Sequence, residues 1–322
     1  MFRRISKLLL GCILAGLVGQ AAAQGYPAHT IKIIVGFGPG GVADLTARIV
    51  AQKLAANMGT SVIVENMPSA GGIIAATTAA KAPPDGYTLY VVSNQNAVSP
   101  ALWKSLPYDP VADFSMISTI GFFDLALVTD GSSPLKNMKD VFNAARHDPA
   151  HFNIGTIGVG STQYLSAELF KSMAKLDVPT VPFKGTGDVI SAVKSGTVQV
   201  AFETLPAVLA QIKAGSLRGL AVTSGKRLAS LPQVPTLAES GLPSYRSSSW
   251  NGLAAPAKTP PAIIARLNRE IAKAVAAPDT QKRLHDIGID PKTGTPAQFK
   301  KLLQSEIVKW TAVVDSAKIP KR

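Results

Sequence analysis

Cysteine is nearly missing from this chain: Cys12 is the single one in 322 residues, and it lies inside what reads as a cleaved leader. The remainder can form no disulfide, carries no thiol nucleophile and offers no cysteine-ligated metal site, so its stability must come from packing. Histidine is scarce too, with four in all, and no G-x-S-x-G elbow or H-E-x-x-H stretch accompanies them. His147 and His151 stand four apart, the helical spacing of a metal pair, but Pro149 falls between them and no third ligand is near in sequence, so no metal is expected. Acids number 20 against 33 Lys and Arg, a formal net charge of +13. The basic residues are dispersed and no aromatic-interleaved basic patch occurs, which argues against nucleic acid and for a small anionic partner. Long apolar runs are also absent: "LLLGCILAGLVG" falls well short of the roughly 20 residues a membrane span needs.

What is present at the amino terminus is a leader. "MFRRISK" is basic, the apolar run follows, and Ala21, Ala22 and Ala23 supply the small-residue cleavage pattern, so residues 1–23 are expected to be a signal peptide and the mature chain periplasmic. Cys12 follows Leu-Leu-Gly as in a lipoprotein signal, but Leu10 fits that signal poorly. Cleavage removes Arg3, Arg4 and Lys7, which takes the formal charge from +13 to +10. At 46% hydrophobic content the chain can bury a large core, and its length exceeds the usual single domain.

Short β-branched runs such as "TIKIIV", "SVIVE", "YTLYVVS", "FNIGT" and "TVQVAFE" alternate with helical patterns. This predicts an α/β fold with mostly parallel sheets. Helices are clearest over residues 42–58, 161–174, 261–277 and 296–317; the last carries Phe299, Leu302, Leu303, Trp310, Val313 and Val314 along one stripe and reads as a packing helix. Two passages lack the alternation: "ISTIGFFDLALVTDGSSP", where two apolar runs follow each other without a helix, and the Pro-rich "LPQVPTLAESGLPSY". Read as crossings, they give a discontinuous first domain, residues 24–122 and 251–322, with residues 123–250 as the second.

Gly36, Gly38 and Gly41 in "KIIVGFGPGGVAD" have the spacing G-x-G-x-x-G between a strand and a helix, and Glu65 stands about where a ribose-binding acid would in a dinucleotide site. Against that reading, Pro39 removes one N–H from the loop that would cradle a pyrophosphate, and an exported protein is a poor setting for a nicotinamide enzyme. "FNIGTIGVGSTQYLSAELFKSM" is a second strand–loop–helix unit of the same kind, with Gly158, Gly160, Ser161 and Thr162 at the helix start. Free N–H groups and the positive dipole end let such a start bind anions without a charged side chain. One such loop falls in each domain, which suggests a clamp on one anion. Ser93 and Asn94 follow the strand "TLYVV", where α/β sheets place ligand-contacting loops.

The segments "GFGPGGVADLTAR", "VIVENMPSAGG", "APPDGYTL", "GVGSTQYLSAELF", "VPFKGTGDVI", "LPAVLAQIKAGSLRGLAVTS", "LPQVPTLAESGLP", "WNGLAAPAKTP" and "GTPAQFKKLLQSEIVKW" run in order over nearly the whole chain beyond the leader. They resemble the Bug family, the TctC-like extracytoplasmic solute-binding proteins of tripartite tricarboxylate transporters. The resemblance implies a two-lobed periplasmic binding protein fold, type II-like, with a hinge and a central cleft, no enzymatic activity and no cofactor. It implies a small carboxylate ligand, the membrane permease subunits as partner, and a monomer. In the family, the loop matching Phe37, Gly38, Gly40, Gly41, Val42 and Asp44 and the loop matching Thr156, Gly160, Ser161, Thr162 and Gln163 grip a ligand carboxylate like pincers, largely through backbone amides, hydroxyls and water. Phe183 and Lys184 match the family's "VPYKG" with Phe where Tyr is usual, and Glu203 stands where "FDNLP" has Asp, to receive an amino group, hold water or cap a strand end.

Several residues keep a plainer reading beside the functional one. Asp44 either orients water or bonds the other loop, or is a first-turn acid favoured by the dipole. Ser161 and Thr162 are ligand hydroxyls or simple caps. Phe37, Phe122, Phe123 and Trp250 line a cleft or belong to the core. Two rival functions remain: a sensor of the same fold that docks on a receptor, and a secreted hydrolase using Ser161, which requires a base within hydrogen-bond reach.

Overall fold

A computed structural model describes residues 25–321. The expected signal peptide, residues 1–23, lies outside them. Strand β1, Ile31–Val35, is almost wholly buried, as a strand covered by helices on both faces must be. Gly41 then opens helix α1, Val42–Met58, which ends on Gly59 in the left-handed region. Next come β2, Val62–Asn66, a single 3-10 turn at Ala70–Gly72, α2, Ile73–Ala80, and β3, Thr88–Ser93. β2 and β3 flank β1 and both run parallel to it.

No loop follows β3. Ser93 caps α3, Asn94–Leu102, directly, its Oγ accepting from Gln95 N–H while Asn96 closes a capping box, so the strand runs straight into the helix. The two apolar runs read as separate strands are one, β4, Phe114–Asp130, 17 residues long. The second half continues with α4, Met138–His147; β5, Ile154–Ile157; α5, Thr162–Ala174; β6, Thr180–Phe183; α6, Thr186–Lys194; β7, Val200–Thr204; α7, Leu205–Lys213; and β8, Leu217–Val222. Strand β9, Ser248–Pro256, leads back to α8, Pro261–Ala276, α9, Pro278–Asp286, the short β10, Asp290–Pro291, and α10, Pro296–Ser316. Helices α1, α5, α8 and α10 fall within a residue or so of the expected spans.

The strand order is β2-β1-β3-β9-β4-β7-β5-β6, with β10 and β8 also paired to β4. The expected parallel units are present, β1 with β2 and β3, and β5 with β6 and β7. Every antiparallel pair among the described strands involves β4 or β9. These two are the strands that pass between the halves. β4 pairs with β9 from Phe114 to Asp124 and with β7 from Leu125 to Val128, so it changes partners near Asp124.

Each half is a sheet covered on both faces. In the first, Leu54 of α1 and Leu267 and Ile271 of α8 pack on one side. Ala76 of α2, Val98 of α3 and Leu303 of α10 pack on the other. In the second, Phe170 of α5 and Val141 of α4 face one side, and Val189 of α6 and Val208 of α7 the other. Leu165 of α5, in the second half, joins the first-half cluster that holds Trp250, Phe299 and Trp310. Helix starts from the two halves are thus packed together.

Candidate functional site

Because β1 runs parallel to β3, the loop at Gly36–Gly41 and the start of α3 leave the sheet at one carboxyl edge. The parallel set β5, β6 and β7 does the same for the starts of α5, α6 and α7. Carboxyl edges are where α/β folds place ligands.

The first loop is held from behind. Gly40 adopts φ +80° and donates its N–H to Asp44 Oδ2 at 2.9 Å. Arg48 Nε donates to both Asp44 oxygens, at 2.9 and 3.0 Å. Asn66 Nδ2 donates to Asp44 Oδ1 at 2.9 Å and to the Phe37 carbonyl at 3.0 Å. Burial disfavours the Asp44 charge, but the hydrogen bonds from Arg48, Gly40 and Asn66 outweigh it and hold the carboxyl below its usual range. Both oxygens accept from the loop and from α1 and β2 behind it, and of the roles open to Asp44 a bond to the other loop is not present among the described residues. In front, Gly40 and Gly41 are exposed, and α1 has no side-chain cap. The first N–H groups of α1 have no partner inside the helix and lie at its positive end.

The second loop is built for close approach. Gly160 has φ +90°, and a Cβ there would collide with Leu102 of α3. Ser161 Oγ accepts from Tyr164 N–H at 3.0 Å and donates to the Ile157 carbonyl at 3.1 Å. It is a helix cap, and among the described residues it has no base as a partner. Thr162 Oγ1 accepts from Asn94 Nδ2 at 3.0 Å, and Asn94 Oδ1 accepts from Trp310 Nε1 at 2.8 Å. Fully buried Asn94 thus ties α3 and α10 of the first half to α5 of the second.

Glu203, the last residue but one of β7, is fully buried. Its Oε2 accepts from Gln163 Nε2 at 3.4 Å, Thr186 Oγ1 at 3.1 Å and Thr204 N–H at 3.2 Å. Oε1 has no hydrogen-bond partner among the described residues, and neither has the buried Thr156 Oγ1. Burial pushes the Glu203 carboxyl up to about 7, against the three hydrogen bonds.

The remaining candidates divide. Phe37 is 36% exposed on the first loop. Phe183 is half-buried against the apolar cluster of α6 and α7, and Lys184 is exposed. Phe123 and Trp250 are core, Trp250 lying edge-on to Phe299 with ring centres 5.4 Å apart. Glu65 pairs with Lys32 at 2.7 Å on the surface. His151 pairs with Asp148 at 2.9 Å, and no group of three metal-ligating side chains occurs among the described residues. Sequence reasoning missed Arg48 and Asn66, which brace the first loop, Thr186, which bonds Glu203, and the polar role of Trp310. Their only signals are that Asn66 ends a strand opposite the glycine loop and Thr186 follows a turn glycine.

Two α/β halves linked by long strands, with helix starts from both meeting at the carboxyl edges, define a two-lobed solute-binding protein. The chain belongs to the tripartite tricarboxylate transporter family receptors, whose model matches residues 46–319. It is 34% identical over 316 residues to Protein BugT of Bordetella pertussis, covering 98% of this chain and 97% of that one. Among solved structures it resembles a Rhodopseudomonas palustris protein with adipate, at 32% identity and TM-score 0.85, covering 92% of this chain and all of that one. It also resembles MatC of the same organism with bound malate, at 31% identity and TM-score 0.80, covering 90% and 100%. Members of the family are periplasmic binding proteins, and among the described residues no helix is long and apolar enough to cross a membrane.

Proposed function

We propose that this protein captures a small carboxylate between its lobes in the periplasm and delivers it to the permease subunits of a tripartite tricarboxylate transporter. The observation that carries the reading is that the uncapped start of α1 and the start of α3 leave the first lobe at one carboxyl edge, and that the start of α3 is tied to the start of α5 in the other lobe by the Asn94–Thr162 bond. An anion entering there meets the positive ends of α1 and α5 without needing a cationic side chain. A ligand gripped by both lobes binds the closed form better and shifts the hinge equilibrium, which is what a membrane partner senses. The lobes are residues 24–122 with 251–322, and residues 123–250; the partner change in β4 near Asp124 supports a hinge there. Ligand contacts come from Gly38, Gly40, Gly41 and Val42 on one side and Thr156, Gly160, Thr162 and Gln163 on the other, with Glu203 beneath.

The adipate and malate bound to its relatives support a carboxylate rather than a dinucleotide. The commitment of Ser161 Oγ to two backbone partners supports binding without hydrolysis. The mature chain, beginning after Ala23, works as a monomer. Thermal unfolding against a panel of mono-, di- and tricarboxylates, with nicotinamide dinucleotides and esters as controls, tests this. A ligand at 100 times its Kd stabilises by about 2.7 kcal/mol, a readable shift. A carboxylate response alone supports the reading, while a dinucleotide response or ester turnover overturns it.

A further inference from the structure

Glu203 carries more than a wall contact. Three donors crowd its Oε2, from the starts of α5 (Gln163), α6 (Thr186) and α7 (Thr204 N–H), while Oε1, also buried, has no partner among the described residues. The neighbouring elements give it no counter-cation. Across the sheet, β4 places Ala126 opposite it. Further along β4, Asp124 is hydrogen-bonded to Ser248. On α5, Glu168 is held by Lys171 and Thr180. Lys184 and Asp188, flanking the start of α6, are exposed. These helix starts therefore accommodate one negative charge, and in the unliganded protein Glu203 competes for it. A ligand carboxylate in the same place makes two, and two carboxyl groups sharing a water-poor site cannot both ionise.

We infer that Glu203 enters the liganded site as the neutral acid, with its proton on Oε1 donated to an oxygen of the ligand carboxylate, so that capture above neutral pH takes up one proton. This rests on the carboxylate-binding reading above. The balance is simple: ionised Glu203, a ligand carboxylate and one hydronium ion give an acid–carboxylate hydrogen bond and one water, with no covalent bond to carbon changed. The ligand class it selects is an anionic carboxylate presented to Oε1. An ammonium group there would instead need the ionised form and release any proton Glu203 held.

The test is calorimetric titration of the full mature chain with adipate, with malate and with whichever carboxylate answers the unfolding panel, at pH 6 to 9 in buffers of different ionisation heat. The expected result at pH 8 is close to one proton taken up per ligand bound, with affinity falling about tenfold per pH unit above 7, the slope a single linked proton requires. In Glu203→Gln, whatever its absolute affinity, proton uptake and that slope are lost. Because the wild-type uptake is itself decisive, a poorly folding variant does not spoil the test. An infrared carbonyl band from a protonated buried acid in the ligand complex, missing from E203Q, provides the same answer spectroscopically. Carboxylate binding with no proton uptake, or with proton release to an ammonium-bearing ligand, overturns this inference alone. Silence across all carboxylates overturns the binding-protein reading and this one with it.

Discussion

Asn94 Nδ2 donates to Thr162 Oγ1 at 3.0 Å, joining the start of α3 in one lobe to the start of α5 in the other, while its own Oδ1 is fixed by Trp310. If the lobes part about the proposed hinge, the two ends of this bond separate, and the bond is then a latch on the closed form. Thr162→Val removes the acceptor and leaves a buried amide donor unpaired, at a cost of about 1–3 kcal/mol to the closed form. Small-angle scattering of the unliganded variant is expected to give a larger radius of gyration than wild type, with Thr162→Ser close to wild type. Asn94→Ala is expected to cost more, because it also strands the Trp310 indole. If T162V scatters as wild type does, the bond is not a latch.

Asp44 acts on its own loop. Its carboxyl is held below the usual value of 3.8 because the bonds from Arg48, Gly40 and Asn66 outweigh the burial that opposes its charge. A lowered folded value means a contribution fully present above the ordinary aspartate range and lost as pH falls through the folded one. Wild type should therefore lose stability relative to Asp44→Asn only on going below about pH 4. At neutral pH the variant should exchange the Gly40 amide proton faster, since that N–H loses a charged acceptor. Unchanged Gly40 exchange would mean that the loop is braced by Asn66 and its glycine geometry alone.

The two strand–glycine–helix units were legible because local chemistry specifies them: a buried β-branched run, a glycine break and an amphipathic helix need no distant partner. The lobe crossing was legible only as an interruption, since β4 is one 17-residue strand and nothing local reveals that Asp124 marks its change of neighbours. The cross-lobe bonds were not legible at all. Asn94 and Trp310 lie 216 positions apart, and in sequence Trp310 is one apolar stripe residue among several. Glu203 was visible as a departure from the family's Asp. Its unpaired Oε1 depends on three donors from three helix starts, an arrangement only the folded chain displays.

Gly160 has no side chain because the lobes meet there. Its φ of +90° strains any L residue, and a Cβ would run into Leu102. Gly160→Ala is expected to destabilise by on the order of 1–3 kcal/mol, from left-handed strain and overpacking together. Adding Leu102→Ala removes the collision but not the strain, so the double variant should be more stable than the sum of the single changes predicts. Chemical denaturation of the four proteins measures this. Strict additivity would mean that the loop moves away from α3 at no cost.

Glu203 also predicts a pH dependence of folding that needs no ligand. Its carboxyl is raised from 4.5 to about 7, chiefly by burial. Between those values the folded chain holds a proton that the unfolded chain has released, so stability falls as pH rises. The contribution is whole below pH 4.5 and its loss is complete a little above 7. Glu203→Gln stays neutral throughout and lacks this slope. The stability of wild type minus that of E203Q should therefore fall by on the order of 3 kcal/mol from pH 4.5 to pH 8, most steeply between about 5 and 7. Urea unfolding of both proteins across that range is the measurement. A difference flat with pH would mean that the three donors on Oε2 and the helix dipoles offset burial completely. Glu203 would then be ionised in the unliganded protein, and any proton taken up on capture would be driven by the ligand's charge alone.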